Sequence, residues 1–253
     1  MKLGFNYFKG NMYRIIIIIL LINVNVGFSQ DSIRGRITYT VSLNIPKERL
    51  DDYEKSNKDK GASSEAIAIL KNSKNVNSVL EFSMDESNYY VLDELDNDLS
   101  ENEIVNFVKT RAGGSKVYYT ENNSNSIDIF EQDCKLGECF LIENEILDWK
   151  LTKETKKISV YRCYKAILNY KNKDIIFWYT PEITTNFGPK NFSGLPGAIL
   201  EIQDGYFSFS AINIELNLKS DELSIEKPKG KLVTKDQYDE MLKKAFPEFF
   251  DKN

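Results

Sequence analysis

Residues 198–218 read AILEIQDGYFSFSAINIELNL and predict two antiparallel strands joined by a tight turn. Asp204-Gly205 lies between two apolar runs and is a strong hairpin signal, because glycine readily adopts the positive φ that short hairpin turns require. In the second strand the apolar positions change parity between Ala211 and Ile212. Since side chains alternate between the faces of a strand, this slip predicts a bulge or a bend, as a curved antiparallel sheet needs.

The rest of the chain is also rich in strand patterns, and residues 36–45 alternate apolar and polar side chains without a fault. Residues 175–179 are apolar on both parities, which predicts a central strand covered on both faces. Residues 47–74 are polar and helix-prone, and Thr234 with Gln237 forms a capping box for a helix near the C-terminal end. We therefore expect a mainly β protein with a few peripheral helices and a curved antiparallel sheet, either an open half-barrel or sandwich-like.

The composition excludes several classes of site. The 253 residues contain no histidine, so Ser-His-Asp and Cys-His nucleophiles and histidine-ligated zinc sites are ruled out. The formal net charge is −5 and no long basic run is present, which argues against a nucleic-acid-binding protein. We predict no cofactor and no metal site.

The N-terminal residues 1–29 have the pattern of a cleaved secretory signal peptide. Three cations precede or border eight consecutive aliphatic residues at positions 15–22, and small Gly27 and Ser29 precede a plausible cleavage point. Eight residues of helix span about 12 Å, far less than the roughly 30 Å hydrocarbon core of a bilayer. A short retained anchor is the alternative. We expect an exported protein with no transmembrane segment after cleavage, located in the periplasm or at the periplasmic face of the outer membrane, with residues 30–253 as a single β-rich domain.

The three cysteines allow more than one pairing in an oxidising compartment. Cys134 and Cys139 enclose a short turn that contains Gly137, which favours a local disulfide and leaves Cys163 free. A Cys139–Cys163 disulfide between neighbouring strands and a site in which three thiolates bind a soft metal are the alternatives.

Residues 194–198, GLPGA, specify a turn. Pro196 and Gly197 occupy the second and third positions of Leu195 to Ala198, as in a type II turn, in which the third residue needs a positive φ. Gly188-Pro189 and Thr180-Pro181 bracket the preceding loop.

Four segments in this order resemble the GLPGLI family of exported Bacteroidetes proteins. They are WKLTKETKKI at 149–158, YRCYKA at 161–166, WYTPEI at 178–183 followed by Gly188-Pro189, and GLPGAILEI at 194–202. The sequence departs from the family pattern at Val160, Thr184, Lys190 and Ala198, where the family usually has Gly, Pro, Trp and Leu. The resemblance implies an exported protein that is often encoded beside TonB-dependent outer-membrane transporters, and it implies no established reaction.

We therefore interpret residues 149–202 as a signature module and expect a non-enzymatic binding or accessory protein that assists an outer-membrane transporter or another envelope complex. The candidate binding residues are Trp149, Tyr161, Lys165, Trp178, Tyr179, Gly188, Pro189, Gly194, Leu195, Pro196 and Gly197.

Two alternatives remain open. The protein could carry a lipid or a peptide in a half-barrel cavity lined by aromatic side chains such as Phe177 and Phe209, which would otherwise fill the core. It could also be a thiol- or carboxylate-dependent enzyme, because Cys163 and Lys165 share a strand face and glutamates such as Glu182 lie in or beside the module.

Overall fold

The computed structural model describes residues 33–56, 61–92, 106–123 and 126–250. The signal peptide predicted at residues 1–29 lies outside the described residues. Among the described residues, no helix combines the length and the apolar character needed to cross a bilayer.

Twelve strands form one continuous open sheet, which confirms the mainly β fold class. The strand order is β12-β6-β5-β4-β3-β2-β1-β11-β10-β9-β8-β7, and neighbouring strands are antiparallel except for the parallel pair β12–β6. The strands are β1 Gly35–Leu43, β2 Val76–Phe82, β3 Glu86–Val91, β4 Val117–Asn123, β5 Ser126–Asp133, β6 Phe140–Asn144, β7 Lys150–Ile158, β8 Tyr161–Tyr170, β9 Lys173–Thr180, β10 Ala198–Asp204, β11 Phe207–Leu216 and β12 Lys231–Thr234.

Helices flank the sheet, and the one at Phe107–Ala112 packs into the main core. The helices are α1 Lys47–Ser56, α2 Gly61–Asn72, α3 Phe107–Ala112, α4 Lys235–Ala245 and α5 Pro247–Phe250. The predicted capping box is confirmed, since Thr234 Oγ1 accepts the Gln237 backbone N–H and Gln237 Oε1 accepts that of Thr234. The helices α1 and α2 lie between β1 and β2 in the chain, where an excursion from the sheet was expected.

The hairpin that the sequence predicts at Asp204-Gly205 is β10–β11. Its two loop residues are Gly205 and Tyr206, and Gly205 has a φ of 61°, as a type II′ turn requires at its first central position. The change of parity in the apolar positions of β11 is caused by a bulge, as predicted. Thr38 of β1 pairs with Asn213 and Tyr39 pairs with Ala211, so Ile212 is the extra residue of a β-bulge.

One face of the sheet carries the main core. Buried side chains of β1 to β4 and of β8 to β11 belong to one cluster with α3 and with the loop at residues 181–197. Tyr39 and Tyr89 are completely buried and donate hydrogen bonds to the carbonyls of Ile199 and Ala112, respectively. The loop at residues 181–197, which we call the signature loop, and α3 are therefore held against the same face of the sheet.

The other face is crossed by residues 217–230, which we call the crossing segment. It leads from β11 to β12 at the edge of the sheet. Asn88 donates to the carbonyls of Ser224 and Glu226, and Gln132 donates to that of Lys229, so the segment is fastened to β3 and β5.

Two details of the sequence interpretation are settled by the structure. The Cys134–Cys139 disulfide is present and Cys163 is free and buried, as predicted. Residues 175–179 do form an interior strand, since β9 pairs with both β8 and β10, but the expectation that both of its faces are covered was wrong. Phe177 is buried, but Ile176 and Trp178 on the opposite face are only half-buried.

Candidate functional site

Several predicted binding residues pack in the core instead of lining a surface. Trp149 is half-buried, with its ring edge-to-face against Phe177 at 4.7 Å between centroids and its Nε1–H donating to Ser193 O at 3.1 Å. Tyr179, Leu195 and Pro189 are buried, and Tyr161 is half-buried against the core. These side chains fix the loop at residues 181–197 to the sheet.

The glycines of the signature module are required by close backbone approaches. A Cβ on Gly188 would lie 2.1 Å from Phe192 O, and one on Gly197 would lie 2.1 Å from Thr180 O. Gly194 has a φ of 100° and donates its N–H to Asn186 O. Gly197 has the predicted positive φ, at 145°.

The turn at the exposed Pro196 is tighter than predicted. The Gly197 N–H donates to Leu195 O, and the Ala198 N–H donates to Ile183 O in place of the Leu195 carbonyl that closes a type II turn. The turn is therefore tied directly to the start of the signature loop.

Lys165 and Trp178 lie on the opposite face of the sheet. Lys165 Nζ forms an ion pair with Glu154 at 3.0 Å. The Lys156 ammonium lies 4.5 Å from the centre of the Trp178 ring and 2.7 Å from Glu201 Oε2. The ammonium that acts to lower the pKa of the Cys163 thiol is that of Lys156, and not that of Lys165.

Cys163 lacks the environment of a reactive thiol. Its side chain is fully buried, and burial, as the main cause, raises its pKa to about 11, although Lys156 acts in the opposite direction. A higher pKa leaves less thiolate at neutral pH, and the thiolate is the nucleophile. This arrangement disfavours the thiol-dependent enzyme.

We expect Cys163 in the folded protein to react with Ellman's reagent at pH 7.5 at least about 100-fold more slowly than in guanidinium. The unfolded protein, without reductant, should release one thiol equivalent, and Cys163→Ser should release none. Rapid reaction of one thiol in the folded protein would contradict the buried, protonated state.

A cleft of about 660 Å³ is lined by six lysines. They come from six different segments: Lys74 before β2, Lys109 on α3, Lys116 before β4, Lys135 in the disulfide loop, Lys190 in the signature loop and Lys235 at the start of α4. Lys74, Lys135 and Lys235 are exposed and form a rim, whereas Lys109, Lys116 and Lys190 are half-buried. The lining also includes amide and hydroxyl side chains, namely Asn75, Asn106, Thr110, Ser115, Tyr118 and Asn191.

Glu131 is the one carboxylate residue in this lining, and its charge is already compensated. Lys116 Nζ forms a short ion pair with Glu131 Oε1 and lies 3.4 Å from Asp133 Oδ2. Lys135 Nζ lies 3.9 Å from the same Asp133 oxygen. The cleft thus concentrates positive charge in a protein whose net charge is negative.

Lys190 and its neighbour Asn191 are the residues of the loop at 181–197 that line this cleft. The Lys190 ammonium donates to Arg111 O at 3.4 Å and lies 5.8 Å from the centre of the Phe192 ring. The Lys190 backbone has a φ of 59°, which is unusual for a residue other than glycine. None of the predicted binding residues lines the cleft. The sequence signal toward it was the departure from the GLPGLI pattern at Lys190.

Comparisons with known proteins agree with the fold and identify no activity. A family model described as a protein of unknown function (Porph_ging) matches residues 169–201, from the end of β8 to β10. No curated protein matches the chain significantly. Two crystal forms of PNGF-II have a similar fold, with a TM-score of 0.51 and 16% identity over 84% and 85% of this chain. The matched region is 33% of the PNGF-II chain, so this protein spans about a third of its length, and at this identity the likeness concerns the fold alone.

Proposed function

We propose that this chain is an exported, non-enzymatic binding protein of the GLPGLI type that holds an anionic ligand in the lysine-lined cleft. The observation that supports this proposal is the convergence of six ammonium groups around 660 Å³, against a lining that contains one carboxylate residue, Glu131. Three of these lysines also contact carboxylates of Glu131, Asp133 or Asp239, but the lysines outnumber these acids, and an anion would be attracted by the remaining positive charge.

The chemistry of the lining indicates the type of ligand. Lysine binds phosphate and sulfate as a point charge, and amide and hydroxyl groups such as Asn106, Asn191 and Thr110 can complete the hydrogen bonds of their oxygens. The mixture of a polar rim and half-buried ammonium groups fits a compact, multiply charged molecule carrying phosphate, sulfate or several carboxylates. More of the cleft lining is polar than apolar, and the aromatic residues Phe177 and Phe209 proposed for a lipid carrier are buried in the core.

The cellular setting is part of the proposal. The Cys134–Cys139 disulfide supports folding in an oxidising compartment, and the periplasm is the compartment that the predicted signal peptide implies. We propose a TonB-dependent outer-membrane transporter or another envelope complex as the partner that supplies or receives the ligand. Copurification after crosslinking in cells, with and without the transporter, tests this part separately.

The binding proposal predicts that pyrophosphate, used as a probe, binds the purified protein at low salt with a one-to-one stoichiometry in calorimetry. Lys74→Glu and Lys109→Glu should each raise the dissociation constant at least about tenfold, because each removes an attractive charge and adds a repulsive one. Raising the salt concentration should weaken binding further.

The matched control is Lys153→Glu, which makes the same charge change at an exposed position of the edge strand β7, outside the cleft. It should alter the dissociation constant less than about twofold. Equal weakening by all three variants would indicate a general charge effect and would contradict the cleft as the site. No measurable pyrophosphate or sulfate binding at low salt would refute the proposal.

A further inference from the structure

Lys190 differs in its partners from three other lysines of the cleft, Lys116, Lys135 and Lys235. Lys116 is paired with Glu131 and Asp133, Lys135 approaches Asp133, and Lys235 Nζ lies 2.9 Å from Asp239 Oδ1. Among the residues that the structure describes, no carboxylate forms an ion pair with Lys190. Its single hydrogen bond is to a neutral acceptor, the Arg111 carbonyl.

The loop presents Lys190 in a fixed way. Pro189 is buried, and its carbonyl accepts the Phe192 N–H at 3.1 Å, so the two residues between them form a tight turn. Gly188 is wedged against Phe192 O and Ile199 Cδ1, where a side chain could not fit. This packing maintains the positive φ of Lys190. The backbone of Lys190 is therefore fixed, and its side chain lines the cleft.

From this placement we infer that Lys190 is a nucleophilic amine, and that the cleft captures ligands carrying both an anionic group and an aldehyde or ketone as a reversible imine. The inference rests on the proposed function, because the neighbouring lysines would hold the anionic group while Lys190 reacts with the carbonyl.

The electrostatic surroundings support a neutral amine. Burial first, and then the nearby Arg111 and Lys116 cations, lower the pKa of Lys190 to about 8, while Glu131 acts in the opposite direction. At pH 7.5 a pKa of 8 leaves about a quarter of the amine unprotonated, against about 0.1% for an ordinary lysine. An unprotonated amine is the form that attacks a carbonyl carbon.

The step needs no oxidant or reductant. The Lys190 Nζ lone pair forms a bond to the carbonyl carbon, and the carbonyl oxygen takes a proton to give a carbinolamine. Loss of the hydroxyl group with a proton, as one water molecule, leaves the C=N bond of the imine. Hydrolysis reverses the sequence and releases the ligand unchanged, as a binding protein requires.

The probe for this inference is pyridoxal 5′-phosphate, which combines an aldehyde with a phosphate, followed by borohydride reduction and peptide mass mapping. At pH 7.5 and substoichiometric probe, Lys190 should be labelled in preference to every other lysine. Excess pyrophosphate should protect it, and pyridoxal, which lacks the phosphate, should require at least about tenfold higher concentration. The labelling rate should increase with pH and level off above pH 8, where an ordinary lysine would still be gaining reactivity.

Two variants make the result specific. Lys190→Arg keeps the positive charge without an imine-forming amine and should lose the preferred label, with its fold checked by circular dichroism. Lys153→Arg makes the same change on exposed β7 and should leave the label on Lys190.

The failures are distinguishable. Labelling spread evenly over surface lysines, together with normal pyrophosphate binding, would overturn the reactive amine and leave the proposed function in place. Preferred labelling of Lys190 by both aldehydes alike, without pyrophosphate binding or protection, would uphold the amine and refute the anion-binding cleft.

Discussion

Substituting Gly197 by alanine is expected to lower the free energy of unfolding by about 4 kcal/mol. The new Cβ would lie 2.1 Å from Thr180 O and 2.7 Å from Pro181 N, and both of these are backbone atoms. Relief of this overlap requires Gly197 to move away from Thr180, which disturbs the pairing of Ala198 with Thr180 at the end of β9. The φ of 145° is also unfavourable for alanine. Urea denaturation followed by tryptophan fluorescence measures the change.

Gly205→Ala is the matched control for this prediction. Gly205 also has a positive φ, at 61°, but a Cβ there would meet no atom within 4 Å. Only the backbone preference is lost, and we expect about 1 kcal/mol. If the two variants were equally destabilised, the close approach of Gly197 to Thr180 would not contribute to the free energy of unfolding. The explanation that backbone packing requires glycine at this position would then be wrong.

The residues of the signature module have mainly a structural role. Gly188 and Gly197 are required by backbone packing, and Trp149, Tyr179 and Leu195 fill the core around the same loop. A motif of this kind specifies how the loop at residues 181–197 is attached to the sheet. We expect the positions that depart from the GLPGLI pattern to be better guides to the proposed ligand site, and Lys190 is the one of them that lines the cleft.

The sequence predicts well those features that depend on neighbouring residues. The β10–β11 hairpin follows from the glycine at Gly205, and the bulge at Ile212 follows from the change of parity, since both signals act within a few residues. The short Cys134–Cys139 loop and the Thr234 capping box are local in the same sense.

Features that depend on distant pairing were not predictable in this way. Strand β1 lies between β2 and β11, whose residues pair with it from far along the chain, and no local pattern encodes that choice. The apolar run in β9 suggested a strand covered on both faces, because apolar content alone does not reveal that Trp178 is half-buried and faces the Lys156 ammonium. The cleft combines side chains from Lys74 to Lys235, so it exists only once the sheet and the crossing segment have formed.

The crossing segment depends on a buried charge. The Glu81 carboxylate is 2% exposed and accepts two hydrogen bonds from Arg36, at 2.9 and 2.7 Å. Its second oxygen accepts the Ser224 backbone N–H at 3.0 Å, and Arg36 also donates to Glu222 O. One carboxylate and one guanidinium therefore join β1 and β2 to the crossing segment that leads to β12.

We expect Arg36→Met to lower the free energy of unfolding by about 3 kcal/mol, because it leaves the Glu81 charge buried without its cation. Arg36 is 28% exposed, so water compensates part of the loss, and the value lies at the lower end for a buried pair. Asp239→Asn, which removes one partner of the i,i+4 pair with Lys235 on α4, is the control and should change the stability by about 0.3 kcal/mol.

The double variant Arg36→Met with Glu81→Gln separates the charge from the packing. The side-chain amide introduced by Glu81→Gln keeps an oxygen for the Ser224 N–H and carries no charge, so it does not require the Arg36 guanidinium. If the buried charge is the cause, the double variant should be more stable than Arg36→Met alone, although each single substitution is destabilising. If the double variant is less stable, by the sum of the two single effects, then the two side chains act independently. In that case the crossing segment is held by its backbone hydrogen bonds and by Asn88, and not by the ion pair.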